Sequence, residues 1–149
     1  INLGFSGNAL SEPEVARLLA ELDPAVYVLD PLPNMTDKTV AAQLESFVTT
    51  LRQAHPVTPI VLVENLKFPA GRFVTETRQR AEAKNVELRK IHRRLVRAGQ
   101  KNIFCVSAMK LIGDDGEATV DGVHPTDLGF TRIADALEPV LRRALKANR

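Results

Sequence analysis

The residues best suited to chemistry stand in three short segments far apart in the chain. In Val120-Asp121-Gly122-Val123-His124-Pro125-Thr126, a carboxylate and an imidazole flank a glycine. Gly122 permits a tight turn, so Asp121 and His124 can reach toward one point. A carboxylate beside an imidazole fixes the ring's tautomer and stabilises the imidazolium, which makes a general base for work near neutral pH. The alternative is a surface pair with no chemistry. In Leu29-Asp30-Pro31-Leu32-Pro33-Asn34-Met35-Thr36, two prolines stiffen a loop by fixing φ. Asn34 there either presents its amide to a developing oxyanion or caps the turn or helix that follows. Asp30 either packs under such a site or accepts from backbone amides of its own loop. In Asn2-Leu3-Gly4-Phe5-Ser6-Gly7-Asn8, Gly7 lets backbone approach a ligand closely. Its N–H is expected near a helix N-terminus, where amides gather for an anion; the alternative is plain turn chemistry.

Each segment is expected to follow a strand. Ile1–Phe5 reads as a short strand, and Ser11–Glu21 as a helix with Ser11 at its N-cap and Pro13 in its first turn. Ala25–Leu29 and Pro59–Val63 are continuous apolar runs, as in buried parallel strands. A helix opened by Thr36 or Asp37 runs to about Gln53, with Val40, Leu44, Phe47, Val48 and Leu51 on one face. A loop with Pro69 and Gly71 leads to a long helix ending near Ala98, with Gly99 as its C-cap residue. Asn102–Val106 is the next strand, and Thr126–Ala147 the last helix. Strands alternating with helices imply an α/β fold, a parallel sheet covered on both faces, with function gathered at the carboxyl ends of the strands.

The 149 residues form one expected domain, 1–149, with no linker or repeat; 44% are hydrophobic and 26% charged. A net charge of +2 and the lack of a basic run interleaved with aromatics give no reason to expect a nucleic-acid partner. No apolar stretch is long enough to span a bilayer. The single cysteine, Cys105, excludes an internal disulfide framework and reads as a buried strand residue. His55 and His92 read as solvent-facing. The basic residues from Arg72 to Arg97, Lys84 and Arg89 among them, alternate with Glu76, Glu82 and Glu87 and read as a solvated, ion-paired face. Glu64-Asn65 ends a strand on the functional side, where it lines a substrate mouth or is ordinary loop polarity.

Taken together, the three segments resemble the SGNH hydrolase superfamily, also called the GDSL lipase/esterase family. Residues Asn2–Asn8 are similar to its second sequence block, with Gly7 as the oxyanion-hole glycine. Residues Asp30–Asn34 are similar to its third, with Asn34 as the oxyanion-hole asparagine. Residues Asp121–Pro125 are similar to its fifth, with Asp121 and His124 as acid and base of a catalytic triad. The resemblance implies a three-layer α/β/α sandwich of flavodoxin-like order. It also implies an acylhydrolase acting without a cofactor on small-molecule or carbohydrate esters, short acyl and acetyl esters among them.

The first block, which carries the nucleophilic serine, has no counterpart here. Ser6 belongs to the second block, Ser11 reads as an N-cap, Ser46 lies within a helix and Ser107 follows a strand. The sequence opens inside an expected strand and shows no leader pattern. The chain is therefore expected to be part of a longer polypeptide, whose N-terminal segment completes the site, adds the missing first strand between those at Ile1 and Ala25, and encodes any secretion. Two other readings use the same residues. Asp121, His124 and Asp30 offer ligands for a metal-dependent hydrolase, and the fold without its serine suits a non-catalytic binding module.

Overall fold

Residues 60–63, Ile-Val-Leu-Val, can satisfy their side chains only between two apolar layers, and they form the central strand of a parallel sheet. In a computed structural model of the chain, which describes residues 1–147, this strand is β2 (Ile60–Val63), buried at every position. On one side it pairs with β1 (Tyr27–Leu29), in register Tyr27 to Ile60 and Leu29 to Leu62. On the other it pairs with β3 (Ile103–Val106), Ile60 opposite Ile103 and Val63 opposite Val106. The sheet order is β1-β2-β3.

Alternation along β2 divides the core into two layers, as the period-2 geometry of a strand requires. Ile60 and Leu62 face a cluster with Ala16 of α1 (Pro13–Ala20), Leu51 of α3 (Glu45–Ala54) and Leu88 and Leu95 of α4 (Thr75–Arg97). Val61 and Val63 face a cluster with Leu111, Ile112 and Ala144, the last from α5 (Asp127–Ala147). The chain is thus an α/β/α sandwich. The helix expected after Thr36 forms with a π turn, Val40–Leu44, between α2 (Asp37–Thr39) and α3. Its start is a reciprocal cap, the Thr39 N–H on Thr36 Oγ1 and the Thr36 N–H on Thr39 Oγ1. α4 ends as expected: Gly99 has φ 82°, its N–H donates to Val96 O, and the Gln100 N–H donates to Leu95 O, a Schellman closure.

Two N-terminal expectations fail. Residues Ile1–Phe5 form no strand, and residues 1–8 are exposed. A strand exists through its neighbour's hydrogen bonds, and among the described residues none runs alongside this segment. Ser11 is not an N-cap either. It has φ 63° and is buried, with its Oγ 3.5 Å from Met35 Sδ, while Glu12 occupies the cap position without a side-chain bond. Ser11 ties the N-terminal segment to the loop after β1.

Because all three strands are parallel, the loops after β1, β2 and β3 leave the same edge of the sheet. The third loop returns to the start of α5, where Thr126 Oγ1 accepts from the Gly129 N–H. Here the helix touches the loop directly: a Cβ on Gly129 would lie 2.1 Å from Ala118 O and 3.0 Å from Pro125 Cβ. Helix propensity alone favours alanine over glycine by about 1 kcal/mol. The contact reverses the sign, and Gly129→Ala is expected to destabilise the chain by about 1–3 kcal/mol. Urea denaturation measures it, and a gain in stability would show that the loop yields freely.

Candidate active site

The loop after β3 builds the acid–imidazole pair from its own backbone. Gly122 takes φ 87°, which turns the chain so that Asp121 Oδ1 accepts from the N–H groups of Val123 (2.9 Å) and His124 (2.8 Å). Oδ2 is then left for His124 Nδ1, at 2.7 Å. The His124 backbone N–H, the imidazole and the Val123 N–H together hold the Asp121 carboxyl well below the usual carboxylate range. An ionised carboxylate at this distance keeps the proton of neutral imidazole on Nδ1 and the lone pair on Nε2. Both side chains are exposed, and Nε2 makes no hydrogen bond among the described residues.

Backbone contacts brace the loop from two sides. Val120 N–H donates to His124 O at 2.8 Å, and Thr126 N–H to Ala118 O at 3.0 Å. Ala70, in the loop after β2, donates its N–H to Gly122 O at 3.3 Å, and a Cβ on Gly122 would lie 3.0 Å from Ala70 Cβ. An open cleft of about 590 Å³ between these loops is walled by Phe73, Val74, Val120, Asp121 and Gly122, among others, but not by His124. It lies on the acid's side.

Asn34 closes a 3₁₀ turn, Leu32–Asn34, directly after β1. It does not cap the next helix, a task Thr36 performs. Its half-buried side chain makes no hydrogen bond among the described residues, so both amide protons are free for a ligand. Asp30 accepts from no backbone amide among the described residues. Asp30 is exposed, and the atoms packed around its carboxyl raise it above the usual carboxylate range. Gly7 sits in an exposed turn closed by the Asn8 N–H on Phe5 O, with positive φ at Ser6 and Gly7. The turn precedes α1 by several residues, so the Gly7 N–H does not lie at a helix N-terminus as expected.

The structure therefore joins Asp121 and His124 directly, and it places Asn34 on a loop leaving the same sheet edge. Ser11, four residues after Gly7, contacts Met35, the residue after Asn34. No hydrogen bond connects Gly7 or Asn34 to the acid–imidazole pair among the described residues.

Sequence reasoning placed Glu64 and Asn65 on the functional side but missed their burial and the partners on α4 that set the rim. Glu64 and Asn65 are buried. Glu64 Oε1 accepts from Arg89 (2.9 Å), and Oε2 accepts from the Ala108 N–H (2.9 Å) where the third loop begins. Asn85, buried within α4, accepts from the Asn65 N–H at 2.7 Å and donates to Asn65 O at 3.0 Å. Lys84 donates to Leu32 O at 2.9 Å and to Pro33 O at 3.4 Å. Lys84 and Arg89 are thus not simply members of a solvated face, although the pairs Arg80–Glu76 and Lys90–Glu87 are. One signal was present: Asn85 falls on the apolar stripe of Ala81, Leu88 and Leu95, where a polar residue needs a buried partner.

The remaining histidines also depart from expectation. His55 is half-buried, with Nε2 2.9 Å from Ala20 O and its ring against Tyr27. His92 is half-buried beside Glu64, Arg89, Cys105 and Ser107, and its Nε2 lacks a partner among the described residues. Cys105 is in a strand as expected but only half-buried, because β3 is an edge strand; desolvation, with Glu64 nearby, pushes its thiol up to about 12.

Comparison with known proteins agrees with this picture. The chain is 38% identical to a protein described as a GDSL-like lipase from Bacteroides ovatus, with a TM-score of 0.93, over 98% of this chain and 43% of that one. Two more distant structures share the fold. One is a salicylyl-acyltransferase from a tetracycline biosynthetic pathway (20% identity, TM-score 0.71, 91% of this chain and 42% of that one). The other is a family 3 carbohydrate esterase from Clostridium thermocellum (19% identity, TM-score 0.70, 95% and 69%). The chain spans less than half the length of the first two. No curated protein matches it. The model of the GDSL-like lipase/acylhydrolase family matches residues 1–142, and the chain belongs to that family.

Proposed function

We propose that this chain carries the acid, the base and two oxyanion donors of a serine ester hydrolase whose nucleophile lies outside it. The observation that carries the reading is the Asp121–His124 pair: 2.7 Å apart, the acid ionised, and the imidazole Nε2 without a partner among the described residues, at the carboxyl edge of a parallel sheet. Family membership supports acyl-ester chemistry in general. The proposed substrates are short-chain acyl esters, acetyl esters of carbohydrates among them.

In this mechanism the serine Oγ attacks the ester carbonyl while His124 Nε2 takes its proton. Asp121 holds the resulting imidazolium by charge and orientation. The tetrahedral oxyanion is bound by the Gly7 N–H, the Asn34 amide and the N–H of the serine itself. Collapse of the intermediate breaks the bond to the alcohol oxygen, which receives the proton from His124. Water then repeats the cycle on the acyl-enzyme and releases the acid, with no cofactor required. The proposed place for the serine is the end of a strand pairing with the outer edge of β1. Two features support it: among the described residues β1 has a partner on one side only, and Val28 within it is 42% exposed although its strand neighbours are buried.

The test uses the longer polypeptide, assayed for release of acid from short acyl esters. His124→Ala and Asp121→Asn are each expected to lower kcat by at least about 10³-fold. Wild-type activity in either variant would overturn the assignment. Chelators should leave the rate unchanged, which separates this reading from a metal-dependent one.

A second expectation concerns pH. Asp121 stays ionised through the working range because its carboxyl is held low. Loss of kcat/KM on the acid side should therefore involve no more than one proton on the acid–imidazole pair, because the carboxylate takes none. A two-proton slope that persists after Asp30→Asn would contradict the ionised-acid arrangement.

A further inference from the structure

We propose that Lys84 is the positioning residue for the Asn34 amide, holding the turn that aims this oxyanion donor; the proposal rests on the reading of Asn34 given above. Asn34 makes no side-chain hydrogen bond of its own among the described residues, so its direction is set by the backbone that carries it. That backbone is a single short turn, Leu32–Asn34, held by its own bonds Asn34 N–H to Pro31 O (3.0 Å) and Met35 N–H to Leu32 O (3.2 Å). Leu32 is fully buried and fixes one point. Residues 31 and 33 are prolines and offer no N–H for further anchoring. Rotation about the Leu32 anchor would move the Asn34 side chain most.

Lys84 opposes that rotation. Reaching from α4, its ammonium donates to two consecutive carbonyls of the turn, Leu32 O at 2.9 Å and Pro33 O at 3.4 Å. Two contacts on adjacent peptide units fix an orientation, where one would fix only a distance. Lys84 forms no ion pair with a carboxylate among the described residues, in contrast to Arg80, Arg89, Lys90 and Arg94 on the same helix. A half-buried ammonium beside Arg80, with backbone carbonyls as its partners, gives up solvation and gains no opposite charge. What it gains is the placement of the turn.

The test is a double-mutant cycle in the ester-cleaving polypeptide. Asn34→Ala alone is expected to lower kcat about 10²–10³-fold, as loss of one oxyanion donor does. Lys84→Met should lower kcat roughly 10- to 100-fold with KM little changed, the scale of a donor displaced by about 1 Å. Lys84→Arg, which keeps the cation and its donors, should recover most of the loss. In the Asn34→Ala background, Lys84→Met should have no further effect. If Lys84→Met does not fold, Lys84→Gln and the ¹⁵N side-chain signal of Asn34 replace it, the signal expected to broaden relative to wild type. A Lys84 effect that persists undiminished without Asn34, or falls mainly on KM, overturns the positioning role. An Asn34→Ala enzyme with wild-type kcat overturns the oxyanion assignment itself.

Discussion

Three loops leave one edge of the sheet, and a single face of α4 fastens all of them. Lys84 takes the carbonyls of the loop after β1, Asn85 takes the backbone of Asn65 after β2, and Arg89 takes Glu64, whose other oxygen holds the Ala108 N–H after β3. These three helix residues lie within about one and a half turns, so their relative positions are fixed by the helix geometry. The Asn85–Asn65 exchange resembles one rung of a β-ladder: an amide plane accepts from an N–H and donates to the carbonyl of the same residue. It is buried, so each bond that is lost leaves an unsatisfied polar group, at about 1–3 kcal/mol. Glu64 is nearly inaccessible and tolerable there only because Arg89 and a backbone amide occupy its two oxygens. Apolar packing makes the sandwich; this polar seam sets how the loops stand relative to one another.

The acid–imidazole pair follows the opposite strategy. It is exposed, and an ion pair in water is worth at most about 1 kcal/mol. Attraction between the side chains cannot hold it. Two backbone N–H groups seat one carboxylate oxygen, and only then does the other meet the ring. The turn geometry comes first and the pair is its consequence. The pair is therefore a local feature, while the Lys84–Leu32 and Arg89–Glu64 contacts bridge distant stretches of chain.

That difference explains what could be read from the sequence. Asp121-Gly122-Val123-His124 was legible because its geometry is encoded within four residues. The strands at β1, β2 and β3 and the long helices were legible because apolar runs and helical stripes declare themselves. Ile1–Phe5 has the composition of a strand, but pairing is not a property of one segment. Ser11 has the composition of a cap, but its backbone turns left-handed and its hydroxyl goes to Met35. Lys84 and Arg89 are the same residue types as the ion-paired Arg80 and Lys90. Their different roles come from what faces them across the fold, which helical spacing does not report.

Arg132 clamps the start of the third loop at Ile112 O and Asp115, but next to Asp121 and His124 the loop is gripped where side chains are absent or small. Gly129 lets α5 rest against Ala118 O, and Gly122 accepts the Ala70 N–H at a closeness that leaves no room for a Cβ. Val120 closes the loop with its N–H on His124 O, and Thr126 with its N–H on Ala118 O and its hydroxyl on Glu117 O. Around the pair, backbone contacts leave Asp121 and His124 free of other commitments. Asp121 can spend both oxygens on the turn and the ring, and His124 keeps one nitrogen open. Larger residues at positions 122 and 129 would have to be accommodated by moving the loop, and the ring would move with it. The two glycines thus belong to the site as much as the residues that would do chemistry in it, because closeness of approach is what they contribute.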